Sequence, residues 1–284
     1  MIRGLLARCS FPSAGTPTTC AVSGGADSLA LLVLAAEAGT QVEAVHVDHG
    51  LRPGSAEEAQ VVADVAERWG AGFRSEAVAV AAGPNLEARA RRARYAVLPA
   101  DVLTGHTADD QAETVLLNLV RGAGLDGLRG FEPRRRPIAA LRRHETHALC
   151  VELGLQPVHD RSNDDPRFRR NRIRHEVLPL LDEVAERDVV AVLAGQADHL
   201  RADAQLLDDL AAGIDPTDAR ALASAPDPLA ARAVRRWLRA GPEQHPPDAA
   251  TVARVLEVAR GEAVACEVAG GRRVSRHQQR MVVR

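Results

Sequence analysis

The chain has 284 residues, 46% of them hydrophobic and 26% charged, and a formal net charge of −2. This is the composition of a folded protein of one large domain or two, and it excludes an overall basic field that would draw in nucleic acid. No apolar run reaches the ~18 residues of a membrane span, no signal-peptide pattern opens the chain, and the protein reads as cytoplasmic. Cys9, Cys20, Cys150 and Cys266 are scattered without a CxxC, which excludes a zinc ribbon, an iron–sulfur site and a disulfide framework. All 36 basic residues are arginine. With the abundance of alanine this reads as a coding bias, so arginine enrichment alone says little about function.

The first predicted strand is TTCAV (18–22), an apolar run that stops at two glycines. DSLALLVLAAEAG (27–39) follows as a helix, capped by Asp27 or Ser28 and ended by Gly39. VEAVHV (42–47) is the second strand, and 55–70 a helix with Ser55 and Glu58 at capping-box spacing. FRSEAVAV (73–80), an arginine-rich helix over 85–98 capped by Asn85, DVLTG (101–105) and a helix over 108–122 complete the series. Strand and helix alternate four times, which predicts an α/β fold with a parallel sheet and helices on both faces. Beyond residue 122 glycines recur at 122, 124, 127 and 130, arginine-rich loops follow, and the chain is helical from about 176 to 213. Prolines then cut it into helices over 217–240 and 248–260, and a Gly270-Gly271 turn marks a closing hairpin. The expected division is a domain over 1–183 and a smaller, mainly helical domain over 184–284, with the boundary inside a helix.

SGGADS (23–28) joins the first strand to its helix. A strand, a glycine turn and a helix N-terminus make an anion site: N–H groups point outward and the helix dipole adds about half a positive charge. Gly24 and Gly25 let the backbone approach closely, Ala26 adds little bulk, and Ser23 and Ser28 can donate to phosphate oxygens. A Walker lysine is absent, and a backbone nest carries the charge without one. Asp27 would repel phosphate, so it either holds Mg²⁺ or orients the turn. Further on, TGHTADDQAET (104–114) leaves the fourth strand at its C-terminal end, where α/β sheets place their sites. Asp110 and Glu113 share a helix face, with His106 at the start of that helix. Two carboxylates beside a phosphate site suit Mg²⁺ or a substrate ammonium. Acids in a first turn also favour the helix dipole without further purpose, an equal reading for Asp109.

SGGADS has the form SGGxDS and resembles the PP-loop of the ATP pyrophosphatases, which split ATP into AMP and pyrophosphate. HVDHGLR (46–52), NLEARARRARY (85–95), TGHTADDQAET (104–114), LVRGAGLDGLRGF (119–131) and DRSNDDPRFRRNRIRHEVLP (160–179) follow in order. Together they resemble the tRNA(Ile)-lysidine synthetase family, densely over 18–180 and more loosely over the C-terminal hundred residues, which match that family's helical domain.

The resemblance implies a PP-loop, Rossmann-like fold and a ligase that uses ATP and Mg²⁺ to adenylate the wobble cytidine of the isoleucine tRNA with a CAU anticodon. The ε-amine of L-lysine then replaces AMP, which moves codon specificity from AUG to AUA. Ser23, Gly24, Gly25, Ala26, Asp27 and Ser28 would form the nucleotide loop, with Asp27 on the metal. Lysine recognition falls to Asp110 and Glu113, with Asp109 and His106 nearby. A lysine ammonium has a pKa of ~10.4, so His106 or a carboxylate takes its proton. Asp48 and His49 bind adenosine or shape their turn. Glu87, Arg91 and Arg94 share a face that in an isolated helix is solvated; the resemblance moves Glu87 and Arg94 to the active-site wall. Residues 161–176 hold six arginines against three acids, and Arg170, Arg172 and Arg174 are candidate tRNA phosphate contacts. Arg272, Arg273, Arg276, Arg280 and Arg284 form a second such set. A homodimer is implied by resemblance only.

Two features depart from the family pattern. Only five residues separate Tyr95 from DVLTG, and 133–149 is compact where relatives carry a longer loop. Other readings fare worse. A tRNA thiolase needs cysteines for sulfur transfer, and an amidotransferase-type synthetase needs a glutaminase domain. A non-catalytic RNA-binding protein on a dead nucleotide fold has no use for SGGADS together with His106, Asp110 and Glu113.

Overall fold

A computed structural model describes residues 1–48, 55–79, 86–160, 164–239 and 247–284. A short helix, α1 (Ile2–Leu6), precedes β1 (Pro17–Ala21), α2 (Ala26–Glu37), β2 (Gln41–Asp48), α3 (Ser55–Arg68), β3 (Gly72–Ala77), α4 (Leu86–Val97), β4 (Leu103–Thr104) and α5 (Ala108–Val120). The sheet is parallel throughout in the order β3-β2-β1-β4, with Cys20 opposite both Ala44 and Leu103. The chain builds outward from β1 to β3 and then returns to place β4 on the other side of β1. The order therefore reverses between β1 and β4, and α/β sheets bind ligands outside the C-terminal strand ends at such a switch point.

β4 is shorter than the strand expected over 101–105, because Val102 still turns back onto Pro99 and only Leu103 and Thr104 pair with β1. The Ser55 side chain and Asn85, expected caps, lie outside the described residues.

α2 is apolar on every side, and Leu29 through Ala35 are fully buried. A helix of that kind needs cover all round. One side lies against β1 and β2; another is covered by α7 (Arg143–Glu152), which inserts Leu149 and Cys150, with Ile138 and Leu141 just before it. The segment 133–149, compact where relatives carry a longer loop, thus leads into a core helix. Two other short pieces precede it, α6 (Leu125–Leu128) and a 3₁₀ turn at Pro133–Arg135.

The helical stretch expected over 176–213 is broken. α8 (Arg169–Arg172) runs into a π turn over Ile173–Val177, then α9 (Leu178–Ala185), a left-handed Glu186, and α10 (Val189–Ala212). The chain divides into two compact units between Asp198 and His199, within α10. In the second unit the helix expected over 217–240 is two, α11 (Ala219–Ser224) and α12 (Asp227–Arg239), parted at Pro226, which cannot donate an internal helix bond. With α13 (Ala249–Arg260) they enclose Leu222, Val234 and Val255. The closing hairpin proves to be three antiparallel strands, β5 (Ala265–Val268), β6 (Arg272–His277) and β7 (Arg280–Val283). The additional turn comes from Gln278 and Gln279, both at positive φ, a conformation that glutamine does not advertise in sequence.

Candidate active site

The loop after β1 starts at Ser23. Gly24 has φ +83°, and a Cβ there would lie 3.1 Å from Val158 Cγ2. Gly25 stands at the N-cap of α2 with no side-chain cap, which leaves the first turn open to an anion. The loop is held from within: Ser28 Oγ donates to Gly25 O at 2.8 Å, and Ser23 N donates to Ser28 Oγ at 3.1 Å. From β2, buried His46 places Nδ1 3.0 Å from Val22 O, while its Nε2 has no partner among the described residues. Gly105, after β4, passes so close that a Cβ would sit 2.6 Å from Asp27 O. The two strand ends touch backbone to backbone at the switch point.

Beside this loop lies a cluster of opposite construction, made of charged side chains. α5 begins with a capping box in which Thr107 N donates to Asp110 Oδ2 at 2.8 Å. Arg143, at the start of α7, donates to Glu113 Oε1 and Asp110 Oδ1 at 3.0 Å each, and its Nε lies 3.5 Å from Asp27 Oδ2. Its backbone N donates to Asp109 Oδ2 at 2.8 Å. Arg170 Nε meets Glu113 Oε2 at 2.6 Å, and its Nη2 meets Asp110 Oδ1 at 3.1 Å. Arg174 grips Glu113 with both Nε (2.7 Å) and Nη2 (3.2 Å). Glu113 is thus fully buried under three guanidiniums, and all of the roughly four acceptor positions of its carboxylate are filled. Arg142 pairs with Asp109 at 3.1 Å and also with Asp188.

The fields follow from these contacts. Burial alone would raise the Asp110 carboxyl, but Arg143 and Arg170 outweigh it and hold it at about 2. Burial likewise works against Asp109, and the bonds from Arg142 and the Arg143 backbone hold it low. Asp27 goes the other way: burial pushes it up, and a hydrogen bond from Thr146 and the charge of Arg143 only partly offset that. Arg143 is raised, its burial overcome by Asp110, Glu113 and Asp27.

Ser23 to Ser28, His106, Asp109, Asp110, Glu113, Arg170 and Arg174 are therefore gathered at one sheet edge. His106 Nδ1 is 2.8 Å from Thr104 Oγ1, and its ring stands 5.6 Å from Phe131. Glu113, expected to face a substrate amine, is enclosed by arginine instead. Arg172 is exposed and forks onto Glu176, away from its neighbours 170 and 174. Asp48 ends β2 half-buried, and Arg94 is half-buried on α4. His49 and the Glu87 side chain lie outside the described residues. The sequence reading missed Arg142, Arg143 and Thr146. The signal for them was the helical spacing of Thr146, Leu149 and Cys150, which puts the preceding Arg pair at a helix start.

A family model for the PP-loop domain matches residues 8–181. Curated tRNA(Ile)-lysidine synthases are similar over most of the chain. The protein from Nocardia farcinica is 45% identical over 256 residues, 84% of this chain and 80% of that one. That from Mycolicibacterium paratuberculosis is 47% identical over 237 residues, 78% and 74% of the two chains. The chain belongs to the tRNA(Ile)-lysidine synthase family. Among solved structures, the U34-tRNA thiolase NcsA from Methanococcus maripaludis, with its 4Fe-4S cluster, matches with a TM-score of 0.57 at 15% identity, over 70% of this chain and 77% of that one. At that identity the likeness concerns the fold, and the scattered cysteines here are all free thiols. For a tRNA(Ile)-lysidine synthase family member the expected motifs thus fall where the fold needs them, at the ends of β1 and β4.

Proposed function

We propose that the protein forms lysidine at the wobble cytidine of the CAU-anticodon isoleucine tRNA. ATP adenylates the cytosine 2-carbonyl oxygen and releases pyrophosphate; the lysine ε-amine then attacks that carbon and AMP leaves. The carbonyl is a poor electrophile, and adenylation gives it a leaving group. The observation that carries this reading is the junction of the open α2 N-terminus with the charged cluster at the β1/β4 switch point, in a chain of this family.

Each group has a role in that scheme. Ser23, Gly24, Gly25, Ala26 and Ser28 receive the phosphates of ATP through backbone N–H groups and hydroxyls. No group of three or more His, Cys, Asp or Glu among the described residues could hold a metal by itself. That suits Mg²⁺ carried in by the triphosphate and held by one carboxylate, and Asp27, whose Oδ2 has among the described residues a single long contact, 3.5 Å to Arg143, has acceptor capacity for it. When bound, Mg²⁺ would neutralise charge on the departing pyrophosphate. Asp27 and Asp110, which flank Arg143, provide the counter-charge for the lysine ammonium, and His106 stands by to take its proton. Asp48, at the end of β2, is placed for adenosine, and Arg94, on α4, for the outer wall. The unit over 199–284 serves tRNA binding and, in a homodimer, association. Of the tail arginines, Arg272 donates to Ala269 O, Arg276 turns inward onto Ala259 O and Arg280 pairs with Asp215, which leaves Arg273 and Arg284, neighbours across β6 and β7, for phosphate.

The test is labelled lysine incorporation into unmodified isoleucine tRNA with ATP and Mg²⁺, with methionine tRNA of the same anticodon as control. Label in the isoleucine tRNA alone is expected. AMP and pyrophosphate formation without label would mean that the nucleophile is not lysine.

A further inference from the structure

The cluster on Glu113 has more cationic hydrogen-bonding capacity than its acids consume. Glu113 and Asp110 face Arg143, Arg170 and Arg174, so three positive charges meet two negative ones before Asp27 is reached. The inner edges are spent: Nε of both Arg170 and Arg174 is fixed on Glu113, and Nη2 of each turns to Glu113 or Asp110. The outer edges are not. Among the described residues, Nη1 of Arg170 and Nη1 of Arg174 donate no hydrogen bond, and the two side chains keep 34% and 21% exposure while Glu113 keeps none. Each Nη1 has two N–H groups. The buried carboxylate locks the rotamers, so these donors are preorganised rather than swept through solvent. Residues 170 and 174 share a face across the turn into the π segment, and Arg172 between them turns out to Glu176.

We propose that Glu113 is a positioning residue that holds Arg170 and Arg174, braced by Arg143, as a preformed receptor for a phosphoryl group beside the nucleotide loop. A paired guanidinium fork matches phosphate oxygens, and the Asp27–Arg143 contact links the receptor to the loop after β1. The phosphoryl group belongs either to the nucleotide or to the tRNA backbone. The inference rests on the proposed function only for that choice of source.

Binding is measured without turnover. ATP and inorganic pyrophosphate are titrated calorimetrically into the full chain, and isoleucine tRNA is bound across a salt series, for the wild type, Arg170→Gln and Arg174→Gln. A nucleotide source gives about tenfold weaker ATP and pyrophosphate binding with tRNA unchanged. A tRNA source leaves ATP unchanged and lowers the slope of log K against log salt by about 1. If a Gln variant does not fold, Arg170→Lys or Arg174→Lys replaces it: lysine keeps the charge opposite Glu113 but has no Nη1, and the same losses are expected. Glu113→Gln, where folded, should lose the same binding without touching phosphate. Folded Arg170 and Arg174 variants that bind all three ligands within twofold of the wild type overturn the proposal. Lysine incorporation scores the proposed function separately, so either can fail while the other stands.

Discussion

The loop over Ser23–Ser28 and the cluster around Glu113 lie at the ends of neighbouring strands, β1 and β4, yet they are made of different material. The loop is backbone, two glycines, two hydroxyls and one acid, contiguous in sequence. The cluster is side chain, drawn from α2, α5, α7 and α8 with the π turn after it, and it is balanced by mutual neutralisation. A backbone site tolerates little change of shape. A side-chain site tolerates little change of charge. Substitutions that separate shape from charge therefore probe the comparison directly.

The largest effect is expected at Glu113. Glu113→Ala leaves three partly buried guanidiniums facing one another, and breaking a buried ion pair of this kind costs roughly 3–5 kcal/mol. Urea unfolding reads it; a loss below 1 kcal/mol would mean that the arginines relax to solvent and the cluster is not preorganised. Gly105→Ala comes next and leaves every charge in place. Its Cβ would meet Asp27 O at 2.6 Å, and overpacking of that kind costs about 1–3 kcal/mol. ATP binding should fall with it, because the atom that must move is loop backbone.

These two variants also divide what the sequence made legible from what it did not. SGGADS was readable because a glycine turn between strand and helix is a local pattern, and its chemistry lies in its own backbone. The parallel sheet was readable for the same reason: each strand and helix announces itself over a few residues. Glu113 was singled out, but its surroundings were not, since Arg143, Arg170 and Arg174 lie 30 to 61 positions away. Spacing on α5 puts Asp110 and Glu113 on one face and is silent about what covers that face. Arg143 was hidden further by Pro137 and the arginine run before it, which read as loop, although Leu149 and Cys150 show a buried helix. The break at Pro226 was within reach, and the third C-terminal strand was not, because its turn is glutamine at positive φ.

Asp110 is expected to have the next effect, with a pH signature. Its folded carboxyl sits at about 2, below the ordinary 3.8 of an aspartate, so its ionised form stabilises the fold. That contribution is complete above the unfolded value and disappears as pH falls through about 2. One pKa unit is worth 1.36 kcal/mol, so Asp110→Asn should cost roughly 2 kcal/mol at neutral pH. The difference from wild type should close between about pH 4 and pH 2, and a gap that persists there would assign the loss to packing.

Asp27 should show the smallest effect on stability and one of the largest on chemistry. Its carboxyl is raised in the fold, chiefly by burial, so the linkage sign is reversed: ionisation is easier in the unfolded chain, and the charged form costs stability once pH exceeds the folded value. Asp27→Asn removes that cost. The amide oxygen can still accept from Thr146, and the contact given up with Arg143 is a long one at 3.5 Å. Stability at neutral pH should therefore stay within about 1 kcal/mol of wild type or rise slightly, while lysine incorporation falls by a factor on the order of 100 or more, as expected when a charge held for metal or ammonium is lost. A variant that is both more stable and inactive would place Asp27 on the functional side of the comparison. Equal losses in both would place it with Glu113, as part of the frame.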